Sequence, residues 1–317
     1  MLISIILCTR DRADDLNQTL LSLAGVAVPD GYRCELVIVD NASSDHTREV
    51  IAKVVLPKIS VRSLFEPKQG LSGARNLGLS EARGEIIVFT DDDLRYTSEW
   101  LEVMTKPLRS READAVTGTM RLAPHLERGW MMSVHHSFLA APLRDSPAAA
   151  ELIGANMAIQ RQVLSRVPWF DTELGPGALG FGEDTLFGQQ LREVGYRIDT
   201  VSLETEHHFL PERLLRANFL SHAKKLGKSA AYTSHHWEHE SQKMAQVNFI
   251  RKIVQLAVWR AAHPVEIRQI EGVHPSEMHH LRSLHIYGQA LIERQRPRNY
   301  ERHGLVKISR KDVARDG

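Results

Sequence analysis

The sequence predicts an α/β protein with a mainly parallel central sheet flanked by helices and a helical C-terminal extension. Three observations carry that prediction. Apolar runs of strand length alternate with helix-length segments through the first 120 residues. Polar and acidic residues gather just after the strand runs. From residue 211 onward the pattern is helical alone.

The strand runs cover residues 2–9, 34–40, 61–65, 86–90 and 115–120. Helical segments cover 13–23, 47–54, 72–82 and 98–108. In the first of these, Leu16, Leu20, Leu21 and Leu23 recur at helical spacing. Asn41-Ala-Ser-Ser-Asp45 supplies capping side chains before the second. Repeated strand–helix–strand units imply a sheet covered on both faces. Residues 121–204 are more irregular, with a Gly-rich stretch over 174–182 and a further strand over 197–203. Helices are predicted over 213–232, 243–262 and 276–294, and the last twenty residues are expected to fray. The domain expectation is an α/β domain over 1–210, in two parts that meet near residue 120, and a helical region with a flexible basic tail over 211–317.

Forty Lys and Arg face 39 Asp and Glu in the 317 residues. So balanced a chain carries no footprint for nucleic acid, and none is expected as a partner. No run approaches the ~20 apolar residues of a membrane helix. The apolar start, 2–8, is short and lacks a basic leader. The expectation is a soluble cytoplasmic protein, at most attached to the inner membrane surface. Cys8 and Cys34 lie in buried-strand runs and read as small core hydrophobes, compatible with a reducing compartment.

Open α/β sheets bind ligands at the carboxyl ends of their strands. Those ends carry Cys8-Thr-Arg-Asp-Arg12, Asp40-Asn41 and Thr90-Asp91-Asp92-Asp93. Three adjacent carboxylates repel one another, and a divalent cation relieves the repulsion. All-oxygen ligands suit Mg²⁺ or Mn²⁺, which share their shell with substrate phosphates. A solvated acidic turn is the plainer alternative. Glu183-Asp184 opens a helix, where capping alone explains a carboxylate and general base catalysis is the functional reading. Either His207 or His208 has the chemistry to complete an Asp/His metal shell.

Taken in order, these segments resemble the inverting glycosyltransferases of family 2, which have the GT-A fold. The resemblance covers about residues 2–210 and implies a catalytic domain over 1–210, with a nucleotide-sugar-binding half, 1–120, and an acceptor half, 121–210. It rests on Cys8-Thr-Arg-Asp-Arg12, Val37-Ile-Val-Asp-Asn-Ala-Ser-Ser-Asp45, Gly70-Leu-Ser-Gly-Ala-Arg-Asn-Leu-Gly78 and Asp91-Asp-Asp93. Gly182-Glu-Asp184 and Leu191-Arg-Glu-Val-Gly-Tyr-Arg-Ile198 follow in the acceptor half.

The resemblance implies a nucleoside-diphosphate sugar as donor, UDP foremost, and a hydroxyl acceptor on a glycan, lipid-linked or small molecule. Thr9 and Asp11 line the nucleotide pocket. Asp40 accepts from the base, Arg75 reaches the base or a phosphate, and Asp91 and Asp92 lie at the ribose. Asp93 binds the Mn²⁺ or Mg²⁺ on the diphosphate. Asp184 is the catalytic base. Members often supply a metal-binding histidine about two dozen residues beyond it, which favours His208 over His207. Asn156, Trp169 and Glu183 are candidates for the acceptor site.

Rival readings are weaker. A nucleotide-binding oxidoreductase needs Gly-x-Gly-x-x-Gly after the first strand, where Thr-Arg-Asp-Arg stands instead. A sugar nucleotidyltransferase of related fold needs a glycine- and basic-rich triphosphate loop, and none is visible. A catalytically inactive nucleotide-sugar-binding module is the third alternative, disfavoured by the intact acidic residues.

In the C-terminal third, Phe249-Ile250, Ile253-Val254 and Ala257-Val258, with Arg251, Lys252 and Arg260, form an amphipathic pattern. It reads as packing on the catalytic domain or on a partner subunit, such as a second copy. Docking on a membrane surface is the sharper alternative. His235, His236 and His239 have helical spacing suited to zinc, but read more simply as a surface patch.

Overall fold

The computed structural model describes residues 1–141 and 151–308. The chain divides into two compact units: Met1–Thr172 with Glu183–Leu210, and Glu173–Gly182 with Pro211–Gly317. The Gly-rich stretch, expected in the acceptor half, thus groups with the C-terminal helices.

In the first unit the strands are β1 (Leu2–Thr9), β2 (Arg33–Asp40), β3 (Ser60–Phe65), β4 (Ile86–Thr90), β5 (Leu94–Arg95), β6 (Ala115–Leu122), β7 (Asn156–Gln160) and β8 (Ile198–His207). The helices are α1 (Ala13–Leu23), α2 (Thr47–Lys53), α3 (Leu71–Glu81), α4 (Trp100–Arg109), α5 (Ser133–Phe138) and α6 (Glu183–Val194). Among the described residues the strands form one sheet in the order β3-β2-β1-β4-β7-β6-β8-β5. Strands β3, β2, β1 and β4 are parallel, as expected. The other half is mixed, because β7 runs antiparallel to both β4 and β6. Strand β7 escaped the sequence reading; it is flanked by irregular chain, and its partners β4 and β6 lie far away in sequence.

Alternation along β1 and β2 sends side chains to two cores. Ile3, Ile5, Leu7, Leu36 and Ile38 pack with Leu16 and Leu20 of α1 and Leu101 and Met104 of α4. Ile6, Cys8, Val37 and Val39 pack with Ala74 and Leu79 of α3 and Phe187 and Leu191 of α6. Each fully buried Leu or Ile contributes roughly 1.5–3 kcal/mol, so helices on both faces hold the sheet. Cys8 and Cys34 are free and buried, and burial pushes both thiols up to about 12. They serve as core hydrophobes.

Because β1, β2 and β4 are parallel neighbours, Thr9, Asp40 and Thr90 emerge at one sheet edge. Asn156, the first residue of antiparallel β7, lies opposite Thr90 at that edge. Strand β8 extends past the expected 203 to His207, since its end pairs with β5, where Leu94 faces His207.

The second unit contains α7 (Arg216–His236), α8 (Ala245–Ala262) and α9 (Pro275–Glu293). Helix α9 packs against both α7 and α8. At Gly227 the backbones of α7 and α9 approach closely: a Cβ there would sit 2.4 Å from the Arg282 carbonyl oxygen. Buried acids are paired. Glu277 accepts from Arg216 at 2.6 Å and Arg260 at 2.9 Å, and Glu293 bonds His236 at 3.0 Å. His235 and His236 are therefore buried rather than part of a surface patch. The expected fraying of the tail is corrected for 298–308. Asn299 and Tyr300 are buried, and Asn299 Nδ2 donates to Tyr232 Oη at 2.7 Å and Glu173 Oε1 at 2.8 Å. The remainder of that tail, 309–317, lies outside the described residues. No helix among the described residues is long and apolar enough to cross a membrane.

Candidate active site

The site is built on the carboxyl edge of the sheet. Thr9, the last residue of β1, donates from Oγ1 to Asp92 Oδ2 at 2.7 Å. Arg12, just before α1, donates from Nη1 to Asp92 Oδ1 at 3.0 Å and Asp93 Oδ2 at 2.5 Å. Thr19 of α1 donates to the Asp92 carbonyl at 2.6 Å. These bonds fold the acidic turn back over the end of β1. Burial pushes the Asp92 carboxyl up to about 7 against the pull of Arg12. Sequence reasoning quoted Arg12 but gave it no role. Its position in the loop beside three carboxylates was the available signal.

Asp11 has φ 51, in the left-handed region that Asp tolerates better than most residues. Its Oδ1 accepts from the Ser44 N–H at 2.7 Å and the Ser44 hydroxyl at 3.0 Å. The N–H bond holds its carboxyl below the usual range. Asp11 thus ties the loop after β1 to the loop after β2. Asp40 is buried, accepting from the Ser43 N–H at 2.9 Å and from Arg48 Nε at 2.8 Å.

A second charge network joins the two halves of the unit. Arg75, from α3, is 3% exposed. Its Nη1 donates to Glu183 Oε1 at 2.7 Å and its Nη2 to Asp91 Oδ1 at 3.3 Å. Arg75, expected to reach a base or phosphate, here faces two carboxylates, since a guanidinium buried this deeply must meet counter-charges. Glu183, an acceptor-site candidate, is one of those two carboxylates. It is buried under Arg75, and burial, with repulsion from Asp184, pushes it up to about 7. Burial also raises the Asp91 carboxyl, opposed chiefly by Arg75.

Asp184 is half-buried. Its Oδ2 accepts from the Gly154 N–H and its Oδ1 from the Thr185 N–H, both at 2.8 Å. Two backbone donors fix the plane of this carboxylate. Gly154 is required here, since a Cβ would lie 2.6 Å from Arg75 Nη1. Of the other acceptor candidates, Asn156 is fully buried, accepting from Trp100 Nε1 at 2.9 Å, and so ties β7 to α4. Trp169 is 43% exposed, and its neighbour Phe170 is the ring that Arg75 faces, at 5.7 Å. Part of the expected acceptor half, 142–150, lies outside the described residues.

Of the two histidine rings, that of His207 is the one facing Asp93. His208 turns its Nε2 to Glu206 at 2.9 Å, and only its backbone N–H reaches Asp93, donating to the carbonyl at 2.7 Å. His207 places Nε2 at 3.4 Å from Asp93 Oδ2. Its Nδ1 lies 2.7 Å from the Leu139 carbonyl, which only accepts, so Nδ1 carries the proton. Nε2 then faces a carboxylate oxygen, an arrangement that either a proton or a metal cation between them stabilises. Among the described residues, no group of three or more His, Cys, Asp or Glu side chains is arranged to hold a metal ion. Asp93 and His207 fit a cation whose remaining ligands come from elsewhere, as phosphate oxygens do for Mg²⁺.

Comparison with known proteins agrees with this architecture. The sequence profile of glycosyl transferase family 2 matches residues 4–167. The chain is 32% identical over 135 residues to the succinoglycan biosynthesis protein ExoM of Rhizobium meliloti, covering 41% of this chain and 43% of that protein. It is 23% identical over 198 residues to the glycosyltransferase AglE of Haloferax volcanii, covering 62% and 63%. The matches thus span less than two thirds of either relative. Among solved structures, the mannosyltransferase PcManGT of Pyrobaculum calidifontis, in complex with GDP-Man and Mn²⁺, superposes with TM-score 0.53 at 17% identity, covering 93% of this chain and 75% of that one. S. aureus TarS 1-349 in complex with UDP superposes with TM-score 0.51 at 19% identity, covering 95% and 93%. The chain belongs to glycosyl transferase family 2, and its glycosyltransferase domain has the GT-A fold.

Proposed function

We propose that this protein transfers a sugar from a nucleoside-diphosphate sugar, UDP foremost, to an acceptor hydroxyl with inversion at the anomeric carbon. The observation that carries the reading is the convergence of Asp91 and Glu183 on one guanidinium. It draws the acidic turn of the donor half together with Asp184 of the acceptor half. An inactive binding module has no need of that convergence. The two solved relatives in complex with GDP-Man and with UDP support a nucleoside-diphosphate donor.

In this reading Thr9, Asp11 and Asp40 line the nucleotide pocket, with Asp91 and Asp92 toward the ribose. Asp93 and His207 hold Mn²⁺ or Mg²⁺, and PcManGT in complex with Mn²⁺ supports a divalent ion. When bound, the ion stabilises negative charge growing on the departing diphosphate. Asp184 takes the proton from the acceptor hydroxyl as its oxygen attacks the anomeric carbon from the face opposite the diphosphate. The new glycosidic bond forms as the bond to the diphosphate breaks. One displacement inverts the centre, so no carboxylate nucleophile is required. Arg75 and Glu183 hold the site together and contact no substrate. A cytosolic site of action belongs to the same reading, supported by the two free cysteines.

The test is a panel of nucleoside diphosphates with and without Mn²⁺, read by thermal shift, since binding to the native state raises Tm by mass action. Donor turnover and the anomeric configuration of the product are then followed by NMR. Metal-dependent stabilisation by UDP with an inverted product is expected. Absence of any nucleotide-dependent shift and of donor turnover overturns the proposal.

A further inference from the structure

Helix α8 is built inside out. Its packed side carries Ala245 and Leu256, with Phe249, Lys252 and Gln255 half-buried. Its exposed side carries Val247, Ile250, Ile253, Val254 and Val258, each 45–63% exposed. At 100° per residue these five fall within one arc of the helix, together with exposed Ala257 and Ala261. Gln246 is the one polar residue inside that arc. Scattered exposed aliphatics need no explanation. A continuous apolar stripe that outdoes the helix's own packed face marks a covered surface.

Charge decides between occupants. Residues 241–265 contain no Asp or Glu, but carry Lys243, Arg251, Lys252 and Arg260. Arg251 is exposed at the edge of the stripe, and Lys243 is exposed just ahead of the helix. The same sign runs through the whole C-terminal region. Residues 211–317 hold nineteen Lys and Arg against ten Asp and Glu, a balance of +9. Residues 1–210 hold 21 against 29, a balance of −8. The near-neutral total conceals this polarity. A second copy laid on the stripe in a two-fold interface brings the same basic edge with it, so like charges meet. An anionic lipid surface offers the opposite sign to the edge and a hydrocarbon boundary to the stripe.

We propose that α8 lies in the interface of an anionic phospholipid membrane, with its apolar stripe among the acyl-chain ends and its basic residues at the headgroups. The helix spans about 27 Å, from 18 residues at ~1.5 Å each. It rests along the surface and does not cross it. This surface is independent of the transferase reading. A chain with no turnover still tests it.

The experiment is co-sedimentation of the full chain with vesicles of equimolar phosphatidylglycerol and phosphatidylcholine, and with vesicles of phosphatidylcholine alone. The expected result is binding to the anionic vesicles that falls about tenfold on the neutral ones and weakens with added salt. The double variant Ile250→Glu, Val254→Glu reverses both the apolar and the electrostatic contribution. It should lose vesicle binding while keeping the parent's Tm, because both positions are solvent-exposed. Lys243→Glu with Arg251→Glu, both exposed, as a second variant, should weaken anionic binding and leave the residual neutral-lipid binding unchanged. No binding to anionic vesicles, equal binding to both kinds, or a concentration-dependent dimer that Val254→Glu dissolves in light scattering each overturns the proposal.

Discussion

Asp91 and Glu183 are joined by the guanidinium of Arg75, which donates to them at 3.3 and 2.7 Å from opposite Nη atoms. The three residues come from the turn after β4, the first residue of α6 and the middle of α3. Arg75 and Glu183 are both buried and compensate each other, while the Asp91 side chain keeps 31% of its surface in water. Arg75→Met leaves Glu183 buried without its cation. We expect a loss of about 3–5 kcal/mol in urea unfolding. Arg75→Lys should recover only part of it, because an ammonium cannot span two carboxylates as a fork does.

Glu183 supplies a pH signature. Its folded-state carboxyl is raised from 4.5 to about 7 by burial and by Asp184. The folded form therefore binds this proton more tightly than the unfolded chain does. The associated stability is fully present below about pH 4.5 and is lost as pH rises through about 7. Unfolding free energy measured across that window should decline by on the order of 3 kcal/mol from this group. Glu183→Gln should flatten the slope, and an unchanged slope in that variant counts against the assignment.

Asp184 tests the chemistry apart from binding. Asp184→Asn keeps the size of the side chain and removes the proton acceptor. Nucleoside diphosphate should still raise Tm as in the parent, while transfer falls by about 10²–10⁴-fold. Near-parental turnover rules out the base role.

The two histidines separate cleanly. His207 faces Asp93, whereas the His208 ring bonds Glu206. Titrating Mn²⁺ against donor turnover should show His207→Ala needing about ten times more metal or beyond. His208→Ala should track the parent. The reverse pattern sinks the His207 assignment.

Gly154 reports on packing at the site. In Gly154→Ala the new methyl meets both Nη atoms of Arg75 within 2.7 Å. The guanidinium must shift, at a cost of about 1–3 kcal/mol in chemical unfolding. Because the Gly154 N–H also holds Asp184, turnover should drop more than donor affinity does.

Much of the scaffold was legible in the sequence. The period-2 and period-3.6 patterns place β1 and α1 where the structure has them, Leu2–Thr9 and Ala13–Leu23. They also place the acidic turn after β4. Local patterns suffice there because each element buries one continuous face on the core. Strand β7 and the end of β8 were not legible, since their pairing partners lie far away in sequence.

By itself the sequence determined which chemistry is available and at which edge of the sheet: carboxylates follow the apolar strands, and parallel strands end together. Tertiary structure alone decided which side chain faces which. Counting residues beyond Asp184 cannot choose between His207 and His208. Adjacent positions along an extended chain point to opposite sides, and the pairing of Leu94 with His207 sets which side looks toward Asp93. In the same way, only folding brought Asp91 and Glu183, distant in sequence, to the buried guanidinium of Arg75.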